Sequence, residues 1–242
     1  MVAYHDIMLR KLAAHSPLES ADEELLRTLQ GRTRELAPGE DLVHEGERPH
    51  MSSVVLAGMV GRYHTLPGGR RSYLSFHMAG DWPDLQSLLL DQMDHAVCAV
   101  GKATIVLIRN DQIRAICERR QSLGYALWRE TLVDAAIFRR AISNHGGKGA
   151  RRRIAHLFCE LFFRAQAAGL VDGRTMALPL RQDQIGDALG LALVTVNRML
   201  QALRRAAAIE LRDGKLTMRN WDQLARLAEF DAEYLQMTAR TQ

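Results

Sequence analysis

Residues 180–205 read LRQDQIGDALGLALVTVNRMLQALRR, and few backbone arrangements satisfy that stretch. Ile185 and Leu189 stand one helical turn apart and give a first short helix its apolar face. Gly190 can take the left-handed conformation that ends a helix and turns the chain. Val196, Leu200 and Leu203 give a second helix its buried stripe. Val194, Asn197, Arg198 and Gln201 then fall on the opposite face, at i, i+3, i+4 and i+7. Two short helices joined through a glycine turn make a helix-turn-helix, whose second helix enters a DNA major groove. Ile209–Arg212 and Lys215–Met218 flank Asp213-Gly214, the dipeptide of a two-residue hairpin turn. Helix-turn-helix plus hairpin predicts a winged helix.

Charge singles out the same region. Residues 1–146 hold 17 Lys/Arg against 18 Asp/Glu, residues 147–219 hold 13 against 6, and residues 220–242 hold 2 against 4. The whole positive excess sits around the winged helix, as expected of a polyanion-binding module joined to a non-binding partner domain. Arg151, Arg152 and Arg153 belong to that excess but read as solvated or salt-bridged. The chain has 242 residues, room for one to two domains with sizeable cores. No apolar run is long enough to span a membrane, and the N-terminus lacks the pattern of a signal peptide, so a cytoplasmic protein without a membrane partner is expected. Cys98, Cys117 and Cys159 make no metal-binding spacing and read as buried free thiols.

The N-terminal half has another texture. Ser20-Ala21-Asp22-Glu23 reads as a capping box opening a helix to about Gln30. From Arg32 to Arg109, short apolar runs alternate with glycines. Pro67-Gly68-Gly69 predicts a turn between strands at Arg62–Leu66 and Arg71–Phe76, and Val97–Val100 and Thr104–Ile108 read as two more strands. Six to eight short strands predict a small antiparallel barrel or sandwich. Residues 111–144 read as one helix with Leu123, Leu127, Asp134, Phe138, Ala141 and Ile142 near one stripe. That helix is long for covering a small barrel. A dimer seam through Leu123, Leu127, Asp134 and Phe138 accounts for its length, with Asp134 as a polar registry position. Asn144-His145-Gly146-Gly147 is expected to break the helix and serve as a hinge. The predicted domains are 1–110, 111–146 and 147–242.

Taken in order, these segments resemble the Crp/Fnr family of transcription regulators. The likeness rests on Pro38-Gly39-Glu40 with Glu45-Gly46, Gly58 to Phe76, Ala79-Gly80-Asp81, and Gln182 to Leu203. It implies an α+β protein: an N-terminal antiparallel β-roll sensor, a long dimerisation helix and a C-terminal winged helix-turn-helix, with no catalytic residues. It also implies a homodimer on a palindromic double-stranded operator, and contact with RNA polymerase if the protein activates.

Within that frame Arg198 is the leading base reader, because an arginine fork bonds O6 and N7 of one guanine. Asn197 stands beside it for an adenine edge or a phosphate, with Gln201 on the same face. Thr195 is assigned to backbone or capping, and Arg181, Gln182 and Lys215 to phosphate. Leu193 and Val194 stand where many family members carry arginine or glutamate, so the common half-site is not expected. They can touch a thymine methyl, or Leu193 can extend the buried stripe. Ala192 replaces the usual capping serine, at a cost of about 1 kcal/mol.

The resemblance places an effector pocket near Phe76, Gly80, Asp84, Asp94 and His95. Cyclic-nucleotide members carry Gly-Glu and Arg-Ser/Thr pairs where this chain has Pro83-Asp84 and Asp94-His95. Asp94 in place of arginine sets a negative charge against a phosphate, so cAMP is not expected. The cysteines do not supply an iron–sulfur cluster, and His77 reads as a structural strand histidine rather than a haem ligand. His95 beside Asp94 could form a pH-sensitive pair. Two other readings stay open at this point. One is a β-barrel metalloenzyme, which the scattered His50, His64 and His77 do not support. The other is a cyclic-nucleotide-binding regulatory module acting on a protein partner, which the complete winged helix argues against.

Overall fold

The computed structural model describes residues 4–237. They form two compact units, one built on residues through His64 and Leu74–Ala135, the other on Thr65–Tyr73 and Ala136–Leu235. The division falls inside a helix rather than at 146/147, and the tip of one hairpin belongs to the second unit.

The first unit opens with helices α1 (Tyr4–Ala13) and α2 (Ser20–Arg27). Sequence reading missed α1. The capping box of α2 sits one residue earlier than expected: Glu19 is the N-cap, and its N–H donates to Asp22 Oδ2 at 3.0 Å. Seven strands follow: β1 (Gly31–Leu36), β2 (Asp41–Val43), β3 (Met51–Ala57), β4 (Met59–Thr65), β5 (Arg71–Met78), β6 (Ala96–Ala99) and β7 (Ala103–Arg109). They make two antiparallel sheets, ordered β1-β7-β3 and β2-β6-β4-β5. Val55, Val60, Val97, Ala99 and Ile105 belong to the core cluster these strands share. Burying such side chains on both inner faces is what holds a two-sheet roll together.

Helices α3 (Asn110–Arg119) and α4 (Gln121–Gly147) follow, α4 belonging to this unit through Ala135 and to the second unit from Ala136. The expected single helix breaks at Arg120, whose backbone is extended (φ −135°, ψ 101°). Its guanidinium is held by Asp22 at 2.8 Å and Glu19 at 2.6 Å. The expected break at Asn144-His145-Gly146-Gly147 does not occur, because α4 runs through all four residues.

Leu123 (0 % exposed) and Leu127 (5 %) lie in a core cluster with Leu12, Leu26, Val106 and Ile113. They fill their own chain's core, which corrects their assignment to a dimer seam. Asp134, expected as a polar registry position, forms an ion pair with Arg62 of β4 within its own chain. Phe138 is half-buried and does not stand on the exposed stripe. The exposed apolar residues of α4 are Tyr125, Trp128, Leu132 and Ile142. With Ala135 and Arg139 they recur at alternating spacings of three and four, the pattern of a two-helix seam.

The second unit continues with α5 (Ala150–Ala167), β8 (Val171–Asp172), β9 (Thr175–Ala177), α6 (Gln182–Leu189), α7 (Leu193–Arg205), β10 (Ile209–Arg212), β11 (Lys215–Met218) and α8 (Trp221–Ala228). Its sheet is ordered β10-β11-β9-β8, so the expected wing gains two strands. Phe158, Ile185, Val196, Leu200 and Leu216 are fully buried. Arg152 pairs with Glu229 at 2.6 Å, and Arg153 donates to the Leu189 carbonyl at 2.8 Å, so both are held within the unit. Cys98 and Cys159 are buried, whereas Cys117, expected to be buried, is half-exposed. Burial pushes the Cys159 thiol up to about 12.

Candidate nucleic-acid interface and effector site

The turn between α6 and α7 depends on two glycines. Gly190 adopts the left-handed conformation (φ 59°, ψ 42°) and caps α6. At Gly186 a Cβ would stand 2.6 Å from the Leu191 carbonyl oxygen, so only glycine lets the turn close over this helix. With the turn closed, Val196, Leu200 and Leu203 face inward.

Val194, Asn197, Arg198 and Gln201 are all exposed on the other face of α7. Leu193 joins them at 56 % exposure, so it does not extend the buried stripe. Thr195 is half-buried. Asn197 donates to Gln182 Oε1 at 3.1 Å, and Gln201 donates to Asn197 Oδ1 at 2.8 Å. This relay of amides spans both helices and fixes the orientation of Asn197. Arg198 makes no hydrogen bond or ion pair among the described residues, leaving its five donors for an external partner.

Arg181 is the N-cap of α6 and is engaged by Asp183 at 2.8 and 3.1 Å. A phosphate contact would have to compete with that carboxylate. Lys215 is exposed beside the wing turn, where Asp213 (φ 51°) and Gly214 (φ 69°) both take positive φ. Ala192 caps α7 without a side-chain bond, as its residue type requires.

Two of the expected effector residues, Asp84 and His95, gather near the Arg62 guanidinium, and His95 Nε2 lies 3.3 Å from Gln86 Nε2. Asp84 is buried and turned to Ser53, accepting its N–H at 2.7 Å and its hydroxyl at 2.8 Å. Burial pushes its carboxyl up to about 6. Gly80 (φ 96°) closes a turn beneath α1, with the Lys11 side chain 3.0 Å from where a Cβ would stand. Phe76 is buried in β5. Asp94 is exposed, and its Oδ1 lies 2.7 Å from Nδ1 of buried His95. Burial, with the charge of Arg62, holds the His95 imidazole below its ordinary value despite that carboxylate. His77 is bonded to Ser75 at 2.8 Å. Among the described residues no cluster of His, Cys, Asp or Glu is arranged to hold a metal ion.

Sequence reading missed Arg62. It lies in β4 at 3 % exposure, and its Nε donates to the Pro83 carbonyl at 2.6 Å. A guanidinium fork takes two acceptors, and here its Nη1 is bonded to Asp134. At the place where cyclic-nucleotide members carry an arginine this chain has the exposed Asp94, and the nearby Arg62 is already engaged by Pro83, Gln86 and the Asp134 carboxylate. These residues do not fit a cyclic nucleotide.

A two-sheet roll, a long helix and a winged helix with an exposed reading face define a two-part DNA-binding regulator. The family model for the Crp-like helix-turn-helix domain matches residues 152–227, and the model for the cyclic nucleotide-binding domain matches residues 33–120. The chain is 27 % identical to the transcriptional activator protein FnrL of Cereibacter sphaeroides, covering 80 % of this chain and 79 % of that one. It is 25 % identical to the nitrogen fixation regulation protein FixK of Bradyrhizobium diazoefficiens, covering 88 % of each. The solved structure of FixK2 from Bradyrhizobium japonicum matches 84 % of this chain and all of that one, with 25 % identity and a TM-score of 0.76. The chain is a transcription regulator of the Crp/Fnr family, with a winged helix-turn-helix and a sensor-like cyclic nucleotide-binding domain.

Proposed function

We propose that the protein acts as a homodimer that reads a palindromic DNA site through two copies of α7, without catalysing a reaction. The observation that carries this is the exposed face of Val194, Asn197, Arg198 and Gln201, with an unengaged guanidinium among the described residues at its centre. Arg198 reads a guanine, Asn197 an adjacent base edge or phosphate, and Leu193 and Val194 supply apolar contact to a thymine methyl. Gln182, Lys215 and Arg181 hold phosphates. The seam is the stripe of Tyr125, Trp128, Leu132, Ala135, Arg139 and Ile142. Pairing it with a second copy removes four large exposed apolar side chains from water. The site of action is the cytoplasm. Likeness to a protein named as an activator supports an RNA polymerase contact when this regulator activates.

Salt dependence tests the DNA reading. A dimer making six to ten phosphate contacts loses about 10³–10⁵-fold in affinity between 50 and 200 mM salt. Binding that does not change over this range would contradict the proposed interface.

A further inference from the structure

We propose that Asp134 is a built-in occupant of the effector site, its carboxylate taking the place on Arg62 that a small anionic ligand would otherwise fill. The inference rests on the regulator reading above and deepens it, because it states how the sensor unit is set. Arg62 comes from β4 and is almost fully buried. It reaches three elements of the same unit. Nε donates to Pro83 O at 2.6 Å, Nη2 lies 3.5 Å from Gln86 Oε1, and Nη1 is bonded to Asp134 of α4. Pro83 belongs to the Pro83-Asp84 pair at which the resemblance puts part of a nucleotide cassette, and Gln86 follows that pair by two residues. The guanidinium thus ties that segment to the long helix through the chain's own groups.

Charge balance requires an anion there. A buried guanidinium without a carboxylate partner is strongly unfavourable, and one paired and hydrogen-bonded is tolerated. Asp84 lies within the field of Arg62, but its oxygens accept from the Ser53 N–H and hydroxyl, and burial favours its neutral form. Asp94 does not serve, since it is exposed and bonded to His95. Asp134, one-quarter exposed, is the carboxylate bonded to Arg62. The site is therefore complete without a small molecule, and α4 is held on the roll constitutively.

The test is Asp134→Ala, which leaves the guanidinium and opens space beside it, with sodium acetate as the probe and sodium chloride at equal ionic strength as the control. The variant is expected to lower Tm by about 8 °C. Acetate, unlike chloride, should raise the variant's Tm and improve its DNA affinity by about tenfold. It should do neither for the wild type nor for Arg62→Met/Asp134→Ala. Asp134→Asn keeps the side-chain shape and should show the same loss, which covers a failure of the alanine variant to fold. The proposal is overturned if Asp134→Ala matches the wild type in Tm and DNA affinity. It is equally overturned if the variant is impaired and acetate does no more than chloride, or if cAMP raises the Tm of the wild type. If the wild type binds no DNA, the regulator reading fails, while the Tm comparisons still decide the role of Asp134.

Discussion

Replacing Leu132 by aspartate is expected to give a folded monomer that no longer holds its operator. Leu132 is 51 % exposed, so the new carboxylate meets water in the single chain and leaves the core intact. Across a two-fold axis the same residue faces its copy or near neighbours of it. Two carboxylates would then be buried without partners, at a cost of several kcal/mol each. The dimer dissociation constant should rise by about a thousandfold or more. DNA affinity falls with it, because a monomer engages a single half-site. Sedimentation equilibrium measures the first effect and a binding isotherm the second. Leu123→Asp is the contrasting variant. That side chain is fully buried within its own chain, so the expected result is loss of folding rather than a clean monomer. A Leu132→Asp protein that still sediments as a dimer would place the seam elsewhere.

Arg198→Ala should have the second largest effect, and its signature is specificity. A bidentate contact to guanine is worth about 1–3 kcal/mol of discrimination. A palindrome contains the contact twice, so the preferred site loses about 2–6 kcal/mol if the half-sites add. One base pair in each half-site should become nearly indifferent. Lys215→Ala should instead weaken all sequences alike and reduce the salt slope by about one. Arg198→Lys is not expected to restore the preference, because a point ammonium lacks the planar fork. If Arg198→Ala weakens every sequence equally, the residue holds a phosphate and does not read a base. The remaining residues of the face limit the competing explanations. Asn197 is already oriented by Gln182 and Gln201, so losing Arg198 leaves the rest of the reading surface in place.

The winged helix was legible because its determinants are local. Ile185, Leu189, Val196, Leu200 and Leu203 follow a helical period, and Gly190 and Asp213-Gly214 stand where the backbone needs positive φ. The hairpin at Pro67-Gly68-Gly69 was legible for the same reason. The long helix was only half legible. It carries two apolar stripes, Leu123 and Leu127 on one and Tyr125, Trp128 and Leu132 on the other. Periodicity does not say which of them the chain covers with its own α1, α2 and β7. Gly146 and Gly147 misled because a glycine pair costs about 2 kcal/mol in a helix interior but little in its last turn. The break at Arg120 depends on Glu19 and Asp22, about a hundred residues away in sequence. Arg62 was invisible for a similar reason. Its partner Asp134 lies 72 residues further along the chain, and no short-range pattern joins them.

The most direct test of the central claim is selection of DNA from a random pool with purified protein and no added ligand. The account predicts enrichment of one palindrome whose half-sites lie about 34 Å apart, one helical turn. It also predicts that the selected half-site tolerates change at the position Arg198 reads once that residue is alanine. A single unpaired half-site, or no enriched sequence from a protein that is folded and dimeric, would contradict it.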